Sequence, residues 1–541
     1  MKKKKKTSLI ILCAISISII SCNDRSQGLR VYGEPVWGTV TEETPVAKTT
    51  SGSISGENRD GIAIFRGIPY GGPCEGDARF KEPQPPTSWD GVRDCTQNGP
   101  YAIQTGTSIS GDPSGLGTYF NGGHPELFGV KDEKQGENCL VLNVLTPGLD
   151  KGKRPVLFYI HGGGFATGSG TLVLGADKLA REENLVIVGV NHRLNVFGYL
   201  YLGALDPDYA SSGMAGMLDL VLALQWVKDN IENFGGDPDN VTIMGESGGG
   251  AKVSTLLAME KAKGLFNKAI VESGSGIVGT YSTRNAADAT LRLLSNLGID
   301  PSEWKQILSL PAKDILAASA PIPMTPVADN INLTYSDNNT FQAYDVSKNI
   351  PLLVGASEDE QGVFVQVNQL DVNENNLRER IIADIPSVTE DNADKVLAAF
   401  EKANIKGDAP WHTYVKIESL GGFLGGGAFP QALAKANQNG APVYQYLVRY
   451  DAHSVVDPSY RCSWHTADLP LQMRIVLHPE AEQVSKTYAH AWAAFARTGS
   501  PSTESLPWPE FSEENPYVMV FDDETHIESD PLKEIRNAFN Q

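Results

Sequence analysis

The sequence predicts an α/β fold built on one mostly parallel sheet, and two observations carry this prediction. Helical patterns, such as 217–231 and 488–497, alternate with short and almost continuous apolar runs. Such runs are typical of strands buried on both faces of a parallel sheet, and the alternation is that of an α/β layer architecture. The runs are 156–160, 185–190, 241–244, 269–271, 351–354 and 443–448. Two helix-rich stretches, 281–320 and 365–440, interrupt the rhythm, and we expect them to be insertions over the functional site.

The composition is that of a large globular protein. Its 541 residues are 41% hydrophobic, which excludes a disordered chain, and 54 Gly and 32 Pro spread along it exclude a coiled coil. The chain carries 65 acidic against 45 basic residues and a formal net charge of −20. This balance argues against nucleic acid or an anionic lipid surface as a partner.

The amino terminus predicts an export signal over residues 1–21. Five lysines at positions 2–6 form its charged region, residues 9–20 form its apolar core, and the small Ser21 precedes Cys22. The apolar run is short for a bilayer span, which favours a cleaved signal over a permanent helix. Cleavage would remove the five lysines and change the formal net charge from −20 to −25.

The cleavage site, Ile-Ile-Ser-Cys22, resembles the bacterial lipoprotein processing box. We therefore expect Cys22 to carry a lipid that anchors the mature chain in the cell envelope, on the periplasmic or surface side. Residues 22–45 would be the tether, and residues 46–541 a single domain. The alternative is an ordinary secretory signal in which Cys22 is incidental.

The remaining cysteines leave the disulfide pattern open. The four cysteines beyond residue 22 are Cys74, Cys95, Cys139 and Cys462. An exported chain can form disulfides, but four cysteines allow three different pairing patterns. Neither Cys-x-x-Cys nor His-Glu-x-x-His spacing occurs, and the nine histidines do not cluster. We therefore expect no metal and no organic cofactor.

A strand–turn–helix pattern surrounds Ser247. The motif Gly245-Glu-Ser247-Gly-Gly249 directly follows a β run and precedes a helical pattern. A serine hydroxyl is a poor nucleophile unless a sharp turn holds it at a helix N-terminus beside a base, and glycines let the backbone turn that tightly. The alternative is an ordinary glycine-rich turn, which the flanking strand and helix disfavour. Ser247 is the predicted nucleophile.

A second glycine motif, His161-Gly-Gly-Gly-Phe165, also follows a strand. Acyl transfer builds negative charge on a carbonyl oxygen, which backbone N–H groups stabilise when no side chain blocks their approach. Gly163, Gly164 and Gly248 are the predicted donors. A mobile hinge is the alternative, whereas a phosphate cradle is disfavoured because no Gly-Lys-Ser/Thr follows.

Further blocks of the chain resemble the type-B carboxylesterases, the carboxylesterase/cholinesterase family of α/β-hydrolases. The resemblance runs from about Thr49 to the carboxyl end. Its blocks are Phe-Arg-Gly-Ile-Pro-Tyr at 65–70, Arg-Phe-Lys-Glu-Pro-Gln-Pro at 79–85 with Trp89, Glu-Asn-Cys-Leu-Val-Leu-Asn-Val at 137–144, Asn-His-Arg-Leu-Asn-Val-Phe-Gly at 191–198, and 234–247. It implies an α/β-hydrolase fold for the catalytic domain 46–541 and a serine carboxylic ester hydrolase with a small-molecule ester substrate.

The chain departs from the family pattern at two places. Gly248 stands where the family usually has alanine, a change to which a backbone donor should be indifferent. The family's usual cysteine partner for Cys139 falls near Ile103, so the resemblance does not carry that disulfide to this chain.

The order of the triad in this fold is serine, acid, histidine, so the acid lies beyond Ser247. The family motif Gly-x-x-x-Asp-Glu-Gly places Glu360 five residues after Gly355, although Gln361 replaces the last glycine. Glu360 is the predicted acid that orients the imidazole, and Asp359 is its rival. The two acidic residues before Glu360, Glu358 and Asp359, are expected to be solvated loop charges.

The predicted base is His465. The segment Trp464-His465-Thr-Ala-Asp468-Leu resembles the family's His-Gly-x-Glu-Leu loop. His453 is a rival because it follows the last long strand, whereas His490 lies in an apolar helical pattern and is expected to be structural. The other histidines beyond the acid are His412, His478 and His526.

Two further functions stay open at this point. A lipase or peptidase could use the same triad, and some relatives are catalytically dead binding or adhesion modules, although those lose the serine or the histidine. The insertions around 105–130 and 281–345 are expected to line the entrance, and the pair Tyr119-Phe120 could contact a ligand or simply pack.

We predict that Cys22→Ala moves the exported protein from the membrane fraction to the soluble fraction, because several acyl chains together give stable attachment. Fractionation of cells that carry the parent or the variant measures this. Cys13→Ala is the matched control, since Cys13 lies in the segment to be removed. A parent that partitions into the soluble fraction would contradict the assignment.

Overall fold

The computed structural model describes residues 44–105, 134–337, 340–363, 371–405, 407, 409–421, 427–453, 461–476 and 479–539. Several sequence predictions therefore fall outside the described residues. They are the signal 1–21, Cys22, most of the tether 22–45, almost all of the insertion around 105–130 with the pair Tyr119-Phe120, and His478.

The fold is organised around an eleven-stranded sheet with the order β16-β15-β12-β11-β10-β9-β7-β8-β6-β4-β3. Its strands are β3 (Glu57–Arg59), β4 (Ile62–Pro69), β6 (Val141–Thr146), β7 (Arg154–Ile160), β8 (Val186–Val190), β9 (Gly236–Glu246), β10 (Lys268–Glu272), β11 (Leu352–Ser357), β12 (Val443–Val448), β15 (Tyr517–Phe521) and β16 (His526–Ser529). In the order of the sheet, the seven strands from β15 to β8 run parallel, and the strands outside them at both edges pair antiparallel. The predicted mostly parallel sheet is confirmed.

Two small sheets lie beside the large one. The first has the order β1-β2-β5 and the second pairs β13 with β14. Their strands are β1 (Val46–Thr49), β2 (Gly52–Ser55), β5 (Val92–Asp94), β13 (Ala452–His453) and β14 (Arg461–Cys462).

Helices cover both faces of the large sheet. They are α1 (Asp177–Glu182), α2 (Asn195–Tyr199), α3 (Ala215–Asn230), α4 (Gly248–Leu256), α5 (Thr283–Asn296), α6 (Ala312–Ser319), α7 (Leu377–Asp384), α8 (Ala393–Lys402), α9 (Pro410–Gly421), α10 (Ala428–Ala436), α11 (Asp468–Gln472), α12 (Glu482–Thr498) and α13 (Lys533–Phe539). Local signals set their ends. The Ser282 hydroxyl accepts the Asn285 N–H at the start of α5, and Gly499, with φ 82°, ends α12 in a left-handed conformation.

The core lies on both faces of the sheet, as the alternation along β7 shows. Val156, Phe158 and Ile160 pack into the apolar cluster on one face, and Leu157 and Tyr159 into the cluster on the other. Side chains on a strand alternate between faces, so a strand covered on both sides is apolar at every position. This explains why the sequence shows continuous apolar runs there.

The helical stretch Pro207–Phe234, which contains α3, is long and apolar enough to span a membrane by length and composition. Its most apolar window is 72% buried inside the fold. It therefore packs as a core helix.

The helix-rich insertions do not form a separate sheet among the described residues. Helices α5 and α6 come from the first stretch, and α7 to α10 come from the second. Strands β7, β9 and β11 run in the same direction, so their carboxyl ends lie at one edge of the sheet. Open α/β sheets bind ligands at this edge.

Candidate active site

Ser247 occupies a sharp turn between β9 and α4. Its backbone has φ 57° and ψ −125°, a strained conformation for a residue with a side chain, and its N–H donates to the Glu272 carbonyl at 2.8 Å. Glycine is required around it, because a Cβ on Gly249 would lie 2.0 Å from the Ile160 carbonyl oxygen. The turn therefore presses the start of α4 directly against the end of β7, as the nucleophile motif requires.

The loop after β7 carries the predicted donors Gly163 and Gly164. Both have left-handed backbones, with φ 81° and 60°, and both are exposed. The Gly163 carbonyl accepts the N–H groups of Ala166 and Thr167 at 3.2 and 3.0 Å. Since C=O and N–H point in opposite directions in a trans peptide, this turns the Gly164 N–H away from the loop.

The third predicted donor, Gly248, lies against this loop. A Cβ on Gly248 would come within 2.2 Å of the Gly164 oxygen and 2.5 Å of its nitrogen. The glycine was expected to be a neutral replacement for alanine. The packing instead requires it, because an alanine would force the loop away from α4.

His465 and Glu360 contact each other directly. The His465 Nδ1 lies 2.5 Å from the Glu360 Oε2, and Glu360 Oε1 accepts the Ser357 N–H at 2.8 Å. An ionised carboxylate only accepts hydrogen bonds, so Nδ1 carries the proton and Nε2 is left as the basic nitrogen. This is the contact that an orienting acid makes with a catalytic imidazole.

A second carboxylate, that of Glu246, lies on the other side of the ring. Glu246 directly precedes Ser247, and its Oε1 lies 3.2 Å from the His465 Nε2. Burial raises the pKa of Glu246 to about 8. Burial alone would lower the pKa of His465, but Glu246 and Glu360 outweigh it and raise that pKa to about 9. No local pattern marks Glu246 as functional, because it occupies the variable position of the serine motif.

The expectation that Glu358 and Asp359 are solvated is wrong. Both are almost fully buried, and both pair with Lys416, whose Nζ lies 2.8 Å from Glu358 Oε2 and 2.9 Å from Asp359 Oδ1. Arg449 adds a second ion pair to Glu358 at 3.0 Å. The insertion helix α9 supplies Lys416, and a local acidic pattern gives no signal of a partner that lies 58 residues away.

Asp359, the rival acid, contacts Ser463 in the segment that carries His465. Its Oδ2 accepts the N–H and hydroxyl of Ser463 at 3.1 and 3.2 Å, two residues before His465. Burial would raise its pKa, but Lys416 and His412 outweigh burial and hold that pKa well below its usual range. Asp359 thus joins the loops that carry Glu360 and His465.

The other histidines have different surroundings. His412 is buried, with Nε2 3.0 Å from Asp359 Oδ2. His490 lies on the exposed side of α12 beside Glu183, and His526 is exposed on β16. His453 belongs to β13, and its side chain and all of His478 lie outside the described residues.

One group of residues has the composition of a metal site. Asp359, His412 and Asp451 place one ligand atom each within 4.8 Å of one another. The ammonium of Lys416 already lies 2.9 Å from Asp359 and balances the charge that a cation would neutralise. Cys74, Cys95 and Cys139 are buried free thiols, and burial raises the pKa of Cys74 to about 12, which makes its thiol a poor nucleophile.

Comparison with known proteins gives a consistent result. The model of the carboxylesterase family matches residues 43–539. The para-nitrobenzyl esterase of Bacillus subtilis strain 168 is 32% identical over 512 residues, which cover 91% of this chain and 97% of that relative. A carboxylesterase of Geobacillus stearothermophilus has a TM-score of 0.74 at 34% identity, over 91% of this chain and 99% of its own. An esterase of Clostridium hathewayi that can hydrolyse aliphatic aromatic polyesters has a TM-score of 0.76 at 28% identity, over 93% and 99% of the two chains.

We predict that Glu360→Gln lowers kcat on the order of 10⁴-fold, since the variant loses the charge that stabilises protonated His465. Asp359→Asn should behave differently. Breaking a buried ion pair costs on the order of 3–5 kcal/mol, so its main effect should be a lower thermal midpoint.

Steady-state kinetics and thermal melting of both variants decide between the two acids. Glu358→Gln is the control, because Glu358 is a buried acid of the same loop that pairs with Lys416 and Arg449. An Asp359→Asn variant that melts like the parent but has the larger loss of kcat would move the acid by one position.

We predict that Glu246→Gln shifts the limb of the pH profile on which kcat/KM rises with pH to lower pH. The active base is neutral imidazole, and removing a nearby negative charge lowers the pKa of His465, so the neutral form appears at lower pH. The pH profile of ester hydrolysis measures the shift. Glu137→Gln is the control, because it also removes one carboxylate, but one that pairs with Arg79, at 2.6 Å. Coincident profiles for parent and Glu246→Gln would contradict the assignment.

Proposed function

The chain belongs to the carboxylesterase family and is a carboxylic ester hydrolase, and from this premise we propose that Ser247, Glu360 and His465 form its catalytic triad. The observation that carries the proposal is the imidazole of His465, which lies 2.5 Å from Glu360 on one side and 3.2 Å from Glu246, the neighbour of Ser247, on the other. A base held in this way keeps the proton of Nδ1 on the acid and turns Nε2 toward the residue next to Ser247.

The proposed reaction proceeds in two halves. The Ser247 hydroxyl attacks the ester carbonyl while His465 takes its proton, and His465 then returns that proton to the departing alcohol. Water, activated by the same imidazole, releases the acid from the acyl-enzyme. Glu360 remains ionised and stabilises the imidazolium in both halves.

The oxygen of each tetrahedral intermediate is proposed to lie among the N–H groups of Gly163, Gly164 and Gly248. Two properties of the described residues support this. The Gly163 and Gly164 backbones are exposed at the carboxyl end of the sheet, and Gly164 packs within reach of Gly248. Removing one such donor costs on the order of 10²–10³-fold in kcat in comparable sites.

A cavity of about 680 Å³ beside the site supports a substrate with an apolar group. It begins at Phe165, which follows the loop of residues 161–164 (the donor loop), and at Ala251, one turn of α4 beyond Ser247. Its wall is mostly apolar and includes Ile277, Phe341 and Leu420. Two of the similar proteins are a para-nitrobenzyl esterase and an esterase that can hydrolyse aliphatic aromatic polyesters. We therefore propose small esters that carry an aromatic or apolar group.

The lipoprotein form and the location in the cell envelope rest on the sequence of the amino terminus. The charged and apolar regions of residues 1–21 and the processing box at Cys22 support an exported, lipid-anchored enzyme. The anchor would be its contact with the membrane, and the acidic net charge makes direct adsorption to anionic lipid unfavourable.

We predict that Ser247→Ala lowers turnover of a para-nitrophenyl ester on the order of 10⁴-fold or more, while the circular dichroism spectrum is unchanged. Ser254→Ala, on the same helix, is the matched control and should keep turnover. An organophosphate should modify the parent at Ser247, as measured by mass spectrometry of the digested protein.

Either of two results would overturn the proposed nucleophile. One is a folded Ser247→Ala variant with the turnover of the parent, and the other is an organophosphate adduct on a different serine.

A further inference from the structure

Lys252 is a buried lysine in the second turn of α4, five residues after Ser247, and its side chain is inaccessible to solvent. An ammonium group buried in this way costs free energy unless hydrogen bonds compensate for the lost water. Its neighbours in the helix, Ala251 and Val253, are apolar, so the position has the pattern of a core residue. The triad mechanism gives Lys252 no role.

The Lys252 ammonium bonds to both ends of the donor loop. Its Nζ donates to the His161 carbonyl at 3.1 Å and to the Gly164 carbonyl at 2.7 Å. It also lies 5.5 Å from the centre of the Phe165 ring. One side chain therefore connects α4 to the first and last peptide groups of the glycine run.

The remaining carbonyls of the run are also held. His161 Nδ1 lies 2.9 Å from the Gly162 carbonyl, and since a carbonyl only accepts, that nitrogen carries the proton. Burial lowers the pKa of His161 to about 3, which keeps its ring neutral. The Gly163 carbonyl is held by Ala166 and Thr167, as described above. Each N–H opposes the carbonyl of the preceding residue across its peptide plane, so the bonds to the Gly162 and Gly163 carbonyls set the direction of the Gly163 and Gly164 N–H groups. The two Lys252 bonds fix the peptides on either side of this pair.

The contact at Gly248 gives independent support. The Gly164 oxygen that accepts from Lys252 is the atom that a Cβ on Gly248 would meet at 2.2 Å. The first turn of α4 thus lets the loop approach closely, and the second turn holds it there through Lys252.

We propose that Lys252 is a positioning residue for the oxyanion hole: its bonds to the His161 and Gly164 carbonyls fix the two peptides that flank the Gly163 and Gly164 N–H groups, and so hold that pair of donors in place at the substrate oxygen. The proposal rests on the function proposed above. Burial lowers the pKa of Lys252 to about 7. A neutral amine keeps two N–H donors, so both bonds survive deprotonation.

The test compares Lys252→Met with the parent, using a para-nitrophenyl ester and an aryl trifluoromethyl ketone. The ketone forms a tetrahedral adduct whose oxyanion needs the same N–H groups as the reaction. We expect kcat to fall about 10- to 100-fold, less than the loss of a donor, and KM to change less than about threefold. Affinity for the ketone should fall by the same factor as kcat, since both report binding of the oxyanion.

Lys435→Met is the matched control. Lys435 lies on α10 and is also buried. Its Nζ donates to two main-chain carbonyls away from the donor loop, those of Ser347 at 2.6 Å and Lys348 at 2.9 Å. We expect Lys435→Met to lower the thermal midpoint, as Lys252→Met should, and to leave kcat and the affinity for the ketone at parental values. If Lys252→Met does not fold, Lys252→Gln, which keeps an N–H donor on a shorter stem, is measured in the same way.

Parental kcat and ketone affinity in the folded Lys252 variant would overturn the proposal, as would equal losses of both in Lys435→Met. Organophosphate labelling of the parent at Ser247 is run alongside. A labelled, active parent with an unaffected Lys252 variant contradicts the positioning role alone, whereas an unlabelled parent contradicts the proposed function.

Discussion

The site depends on one close backbone contact, in which the start of α4 packs against the end of β7 without intervening side chains. Gly249 meets the Ile160 carbonyl, and Gly248 meets the Gly164 peptide, at distances that leave no room for a Cβ. This contact holds Ser247 in its strained turn and places the donor loop beside it. The atoms involved are main-chain atoms at the end of β7, in the loop after it and at the start of α4, so the backbone fixes the geometry and little reorganisation is needed when charge develops.

Buried charge is the second constraint, because several carboxylates lie together at the carboxyl ends of β9 and β11. Each carboxylate needs a specific partner in a medium of low dielectric constant. Glu360 is paired with His465, whereas Glu358 and Asp359 share Lys416. Three consecutive acids thus have separate roles: one faces the imidazole, and two join the insertion helix α9 to the loop beneath the site.

Local patterns in the sequence predicted the parallel sheet, the turn at Ser247 and the glycine loop, because buried strands require apolar residues and tight turns require glycine. The burial of Glu358 and Asp359 was not predictable in this way, since their partner Lys416 is distant in the sequence and reaches them only through the fold. Lys252 was missed for a similar reason. A single lysine in a helix is usually solvated, and only the packing of α4 against the donor loop buries it.

The proposed catalysis depends on a preformed set of main-chain donors that faces Ser247. A crystal structure of the enzyme inhibited by an alkyl phosphonate tests it most directly, because the phosphonyl oxygen mimics the oxyanion of the tetrahedral intermediate. We expect phosphorus bonded to Ser247 Oγ, with the phosphonyl oxygen within about 3.2 Å of the nitrogens of Gly163, Gly164 and Gly248. A phosphonyl oxygen directed away from this loop, or phosphorus on another residue, would contradict the account.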